Sequence, residues 1–381
     1  MGIENYLFNA AERFPDKPAT IQLTRNCTYR EILTGANTIA RWILDNKVQR
    51  GDRVGILLDD PAEYVMAYFG ILMSGAVVVA LNTQTSSRTL LDIINDAEIS
   101  LFITHVKFIK HIDAIADRIP SIRAISVQGL SAHLTFHGSI KITDLGKILD
   151  NEHRRTQAWP SGSPPNDADI AQIIYTSGTT GKPKGVVLLH SHLMANTRSI
   201  VRYLMLSHDE RHMVILPFFY SFGNSVMLTH IAAGATMIVH QSMVYPKVVL
   251  DLMHKEAATG LSGVPSTFAI LTATPGVRQY AFPHLRYIAQ AGGPMSPKLA
   301  GVVKNTFSAS DIFIMYGQTE ASAQLSYLHP NDFSRKPGSI GKAIPDVTLK
   351  LLDKNGNPVK AGEVGEIVAC GPNIMKGYWK D

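Results

Sequence analysis

The chain has 381 residues, of which 45% are hydrophobic and 18% charged, a balance typical of a soluble globular protein long enough for two or three subdomains. The formal net charge of +5 is spread along the chain without a long Lys/Arg run, which suits anionic small substrates and argues against nucleic acid. The two cysteines, Cys27 and Cys370, suggest no disulfide framework, residues 1–11 carry Glu4 and Asn5 where a signal peptide would be apolar, and no apolar run reaches the ~20 residues of a membrane helix, so a cytoplasmic protein without stable membrane insertion is expected.

In chain order, residues 3–14 read as a helix stopped by Pro15. Thr28-Tyr29-Arg30-Glu31 is a capping box, opening a helix to about Asn46. Residues 53–58 are a strand, and Pro61 suits the first turn of a helix that ends near Gly75. A strand at 76–81, a helix at 87–97, a strand at 101–104, a helix at 108–118 and a strand at 122–127 follow. Such alternation predicts a parallel sheet with helices on both faces. Residues 130–167 are mixed, and the three prolines within 159–167 predict a linker or an exposed crossover.

Tyr175-Thr176-Ser177-Gly178-Thr179-Thr180-Gly181-Lys182-Pro183-Lys184-Gly185 comes next, between apolar strand patterns at 170–175 and 186–189. Its glycines let backbone N–H groups turn toward a ligand, its hydroxyls donate hydrogen bonds and its lysines add positive charge. That is the composition of a loop that wraps a polyphosphate, here as a hairpin. A Walker A loop spaces its glycines further apart and follows its lysine with Ser or Thr and a helix, so a P-loop hydrolase is excluded.

After the loop the alternation resumes: a helix capped by Ser191 to about Leu206, a strand at 213–216, a helix at 222–232, a strand at 236–239, and helices at 246–258 and 265–272. Strands at 285–289 and 312–315 flank a helix at 297–307. From Ser339 the pattern becomes antiparallel β, with strands at 347–352 and 365–369 around an Asn355-Gly356 turn. The expected organisation is two doubly wound α/β subdomains, 1–167 and 168–338, and a small β subdomain, 339–381.

Two further stretches follow strands, where ligands of open α/β sheets sit. In Ala289-Gln290-Ala291-Gly292-Gly293-Pro294-Met295 the small residues let a flat ring approach the backbone, although a plain strand-to-helix turn explains them nearly as well. Tyr316-Gly317-Gln318-Thr319-Glu320 offers an aromatic for stacking, a hydroxyl for phosphate and a carboxylate for Mg²⁺; a helix start capped by Thr319 is the plain alternative. No HExxH or CxxC spacing supports a zinc site.

YTSGTTGKPKG and YGQTE together resemble the two ATP signatures of the adenylate-forming superfamily, which includes acyl- and aryl-CoA synthetases. The resemblance implies ATP and Mg²⁺ as cofactors, with CoA or the phosphopantetheine of an acyl carrier protein as thiol acceptor. It implies nucleotide contacts from Thr176, Ser177, Gly178, Thr179, Thr180, Gly181, Lys182, Gly292, Gly293, Pro294, Tyr316, Gly317, Gln318 and Thr319. It implies catalytic roles for Lys182, Lys184, Thr319 and Glu320, with Glu320 and Thr179 at the metal. The stretch 216–224 resembles the family's aromatic segment beside the carboxylic acid, with Tyr220 where many acyl-CoA synthetases have His. On this reading Tyr220, Phe222, Gly223, Val264 and Met295 face the acid, and the lack of an acidic residue between 217 and 240 disfavours an α-amino acid. The segment with Gly362, Gly365, Gly371, Gly377 and Tyr378 resembles a later motif and reads as structural turns. The family's ribose-binding aspartate, hinge and small C-terminal domain would follow Tyr378, so the chain reads as the large N-terminal domain, expected to adenylate slowly or to act only as an ATP- or acyl-adenylate-binding module.

Overall fold

The computed structural model describes residues 2–131, 136, 138–151, 165–177 and 182–381. Gly178, Thr179, Thr180 and Gly181, and with them the tip of the glycine-rich loop, lie outside the described residues, as does most of the expected linker at 159–167.

The strands are β1 (Pro18–Ile21), β2 (Asn26–Thr28), β3 (Arg53–Leu57), β4 (Val77–Ala80), β5 (Ile99–His105), β6 (Ala124–Gln128), β7 (Lys141–Asp144), β8 (Ile170–Ser177), β9 (Pro183–Leu189), β10 (Arg211–Val214), β11 (Thr236–Val239), β12 (Gly260–Gly263), β13 (Tyr287–Gln290), β14 (Asp311–Tyr316), β15 (Ser326–Leu328), β16 (Lys342–Ala343), β17 (Thr348–Leu352), β18 (Glu366–Cys370) and β19 (Gly377–Tyr378). Among the described residues they form an eight-stranded sheet in the order β19-β9-β8-β4-β3-β5-β6-β7, a nine-stranded sheet in the order β16-β15-β14-β13-β12-β10-β11-β1-β2, and a β17-β18 pair. Strands β3 to β8 and β10 to β14 pair in parallel within their sheets, and antiparallel strands sit at the edges. The expected fold class, mixed α/β with a small antiparallel sheet, is what the chain adopts. Sheet membership does not follow sequence order: β1 pairs with β11, and the β8–β9 hairpin joins the first sheet through β4, on the side of residues 53–144.

The capping box forms as read: the Thr28 N–H donates to Glu31 Oε2 at 2.7 Å and the Glu31 N–H to Thr28 Oγ1 at 3.2 Å. Two helical expectations are corrected. The span 108–118 is broken into 3-10 turns and the short Ile109–Asp113 helix: Ile115 leaves helical geometry at φ −124°, and Pro120 keeps Ile119 out of it at φ −121°. The helix expected to be capped by Ser191 starts at His190, because the His192 ring accepts the Leu189 N–H and takes the capping role.

Apart from Glu63 the Pro61–Met73 helix carries no charged residue, and it is buried almost throughout, which suits a helix enclosed by both sheets. Its core holds side chains from both, such as Ile56 and Ile174 from one and Val214 and Val239 from the other. A buried polar knot pins this junction: the Tyr68 hydroxyl and the Asn224 amide both donate to Gln172 Oε1, at 2.9 and 3.0 Å. Tyr68 lies on the Pro61–Met73 helix, Gln172 on β8 and Asn224 on the Ser221–Ala233 helix, so the root of the hairpin is fixed against the helix that carries Ser221.

Candidate active site

Past a register shift between Ile170 and Gln172, the β8–β9 ladder pairs without interruption up to Thr176↔Lys184 and Ser177↔Pro183. Gly185 is needed for this: a Cβ there would lie 2.9 Å from Ile173 and 3.1 Å from both Tyr175 and Trp379. Tyr175 donates its hydroxyl to the Asp96 carboxylate. Lys182 and Lys184 are both exposed beside the tip.

Residues 376–379 run along the outer side of the hairpin, with the Lys376 N–H on Val187 O at 3.0 Å and the Trp379 N–H on Gly185 O at 2.7 Å. This brings the Tyr378 ring under Lys184, whose Nζ is 4.9 Å from the ring centroid. The Tyr378 hydroxyl donates to Glu320 Oε1 at 3.0 Å, and that bond pushes the Tyr378 pKa up. The glycine-rich hairpin and the turn after β14 therefore meet, with Tyr378 between them.

That turn is tightly constrained. A Cβ on Gly317 would lie 1.8 Å from the Ala323 carbonyl oxygen, and Ser322 and Ala323 both have positive φ. Asn373 donates its amide to Ala321 O and Gln324 O, both at 2.9 Å, and the Ser322 hydroxyl donates to Asn373 O at 2.8 Å. Such backbone strain persists only where surrounding bonds over-determine it. Thr319 donates its hydroxyl to Ser221 Oγ at 3.3 Å, at the start of the Ser221–Ala233 helix. Gln318 is exposed.

A cavity of about 830 Å³ opens beside the turn, lined among others by Gly292, Gly293, Pro294, Met295, Tyr316 and Gly317. Gln290 shapes its wall by donating to Gly293 O at 2.7 Å, and Gly292 adopts a φ of +78°. Tyr220 is half-exposed and accepts a hydrogen bond from the Asn82 amide at 3.1 Å. Gly223 packs against the 217 loop, where a Cβ would lie 2.0 Å from Pro217 O. Phe222 lines a separate small cavity, and Val264 caps the Pro265–Ala273 helix near Gly292. Met295 lines the large cavity and Phe222 the small one.

Sequence reasoning missed Ser221, Asn82 and the reach of Tyr378. Nothing local in the sequence marks the first two. Tyr378 was readable only as a turn residue, because its role depends on a contact with residue 320.

The AMP-binding enzyme family matches residues 7–379. The chain belongs to that family. Among AMP-binding enzymes, the "Long-chain-fatty-acid--CoA ligase" of Bacillus subtilis (strain 168) is 29% identical over 99% of this chain and 70% of its own length. A "Feruloyl-CoA synthase" from Amycolatopsis sp is 30% identical over 92% of this chain and 66% of its own length. The N-terminal domain of FACL13 from Mycobacterium tuberculosis superposes with a TM-score of 0.88 at 24% identity, covering 100% of this chain and 91% of that one. The anthranilate CoA ligase AuaEII superposes with a TM-score of 0.89 at 24% identity, over 100% of this chain and 71% of that one. These likenesses give the AMP-binding enzyme fold.

Among the described residues no group of three or more His, Cys, Asp or Glu could hold a metal by itself, and no helix is long and apolar enough to cross a membrane. The donor set at Glu320 is one hard carboxylate beside a basic hairpin. That fits an ion such as Mg²⁺, which takes one or two carboxylates and completes its shell with water and substrate phosphate.

Proposed function

We propose that the protein activates a carboxylic acid with ATP. A carboxylate oxygen attacks the α-phosphorus, an acyl-adenylate forms and pyrophosphate leaves. The acyl group is then passed to a thiol, that of CoA or of a carrier protein. The observation that carries this reading is the chain of contacts Lys184–Tyr378–Glu320, which joins the phosphate-binding hairpin to the carboxylate turn.

The difficulty of the reaction is the approach of one anion to another, so catalysis consists of positioning and of charge complementarity. Lys182 and Lys184 supply positive charge at the hairpin, and Thr319, held by Ser221, supplies a hydroxyl toward the α-phosphate. The adenine would lie in the 830 Å³ cavity against Gly292–Pro294 and Tyr316. Glu320 would hold Mg²⁺, together with Thr179, and the ion would neutralise phosphate charge. The fatty-acid and ferulate ligases among the relatives support an acyl or aryl acid as substrate. A cytoplasmic location agrees with a pool of ATP and CoA as substrates.

Acid-dependent exchange of labelled pyrophosphate into ATP tests this reading. The expected result is exchange with at least one acid of a mixed fatty and aromatic panel, abolished by Glu320→Gln. Release of ADP and phosphate without acid-dependent exchange would refute it.

A further inference from the structure

Phe222, the neighbour of Ser221, lines a cavity of only about 10 Å³ between the Ser221–Ala233 helix, the end of the His190–Tyr203 helix and the faces of β12, β13 and β14, with His230 also in its lining. Its walls include Phe222, Ser262, Ala289, Met315 and Gln324. Strand register explains its shape. Val214, Ser262, Ala289 and Phe313 form one cross-strand row. The row two residues deeper, about 7 Å along the strands, is His212, Gly260 and Tyr287. From Ala291, just past β13, through Ala289 to Tyr287 on the strand, small side chains give way to a large one.

The deeper row is locked. Val226 O lies 2.7 Å from His230 Nδ1, which fixes the proton on that nitrogen. Tyr287 must then donate its hydroxyl to His230 Nε2 at 3.1 Å, and His212 Nδ1–H donates to the Tyr287 oxygen at 2.8 Å. Only a lone pair, on His212 Nε2, is left without a partner. Burial keeps both histidines neutral by lowering their pKa values, to about 4 for His230. Gly260 makes the packing possible, since a Cβ there would lie 2.5 Å from both His212 and Tyr287. Behind the floor, Tyr203 stacks on Tyr327 with ring centroids 4.1 Å apart. At the cavity wall, Gln324 is buried and its Oε1 lacks a hydrogen-bond partner.

We propose that the acid pocket of this protein is short and ends on a polar floor of His212, Tyr287 and His230, so that it takes a compact, ring-sized carboxylic acid carrying a hydrogen-bond donor for Gln324 and rejects long alkyl chains. The inference rests on the acid-activating reading above. Admitting a ring requires Phe222 and Met315, which wall the cavity, to turn aside. The floor is held by three hydrogen bonds in a fully buried site and cannot yield to a long tail without leaving polar groups unpaired.

Calorimetric titration with non-reactive acyl-sulfamoyl adenosines tests it, using hydroxybenzoyl, benzoyl, butanoyl, octanoyl and hexadecanoyl forms and adenosine 5′-sulfamate as the nucleotide-only control. The hydroxybenzoyl form is expected to bind about a hundredfold more tightly than the hexadecanoyl form. Gln324→Leu should reduce the advantage of hydroxybenzoyl over unsubstituted benzoyl about tenfold. His230→Ala, which opens the floor, should improve octanoyl binding. Equal or tighter binding of the hexadecanoyl form by the unaltered protein overturns the short pocket alone. Failure of every analogue and of the sulfamate control overturns the acid-activating reading, and this inference with it.

Discussion

Tyr378 donates its hydroxyl to Oε1 of Glu320 across 3.0 Å, and its ring lies under the Lys184 ammonium. The hydroxyl fixes the direction of the carboxylate, and the ring fixes a lysine at the base of the β8–β9 hairpin. Tyr378→Phe keeps the ring and removes only the hydroxyl. The expected outcome is a roughly threefold to tenfold rise in the KM for Mg·ATP, with unfolding stability changed by less than about 1 kcal/mol, because the lost bond is partly exposed. Exchange kinetics at varied Mg²⁺, together with urea denaturation, check both halves. An unchanged KM would show that the carboxylate needs no such support.

Gly317→Ala should be among the most damaging single-methyl additions. The new Cβ would sit 1.8 Å from a backbone oxygen in a turn already bearing two positive-φ residues, so backbone must shift. A loss of about 2–4 kcal/mol is expected. Denaturant titration measures it, and a loss below about 0.5 kcal/mol would mean that the turn is more compliant than its contacts imply.

Glu63 gives a pH-dependent prediction. Burial, reinforced by Asp60 and partly offset by Arg25, pushes its pKa up to about 7 from the usual 4.5. Below pH 4.5 the folded and unfolded chains both hold this proton, so the contribution to stability is fully present. As pH rises toward 7 the unfolded chain has released the proton while the folded chain keeps it, and the contribution is progressively lost. Glu63→Gln removes the titration. The variant should match the parent near pH 4.5 and exceed its stability by about 1–3 kcal/mol at pH 8. Thermal unfolding across that range checks the trend, and a gap that narrows with rising pH would reverse the sign.

Much of this fold was legible in the residues. The capping box at Thr28, the first-turn proline at Pro61 and the apolar strand runs all mark elements close to where they form. β12 was not legible: its Gly-Leu-Ser-Gly sequence lacks every strand-favouring cue, yet it lies centrally between β10 and β13. Its glycine is there because Tyr287 and His212 need the space, a tertiary demand that local propensity cannot report. The pairing of β1 with β11, some two hundred residues later, is invisible for the same reason. In the candidate site, glycines announced the β8–β9 hairpin and the 316–320 turn, since close backbone approach limits the residue types that fit. Ser221, Asn82 and Tyr378 are ordinary residues whose positions arise only from folding.

The central claim is that the 175–185 hairpin and the 316–320 turn form one nucleotide site. A crystal structure with a non-hydrolysable ATP analogue and Mg²⁺ tests it most directly. The account predicts phosphates along the hairpin within reach of Lys182 or Lys184, adenine between Gly292–Pro294 and Tyr316, and the metal on Glu320. A nucleotide bound elsewhere, with the hairpin far from any phosphate, would contradict it.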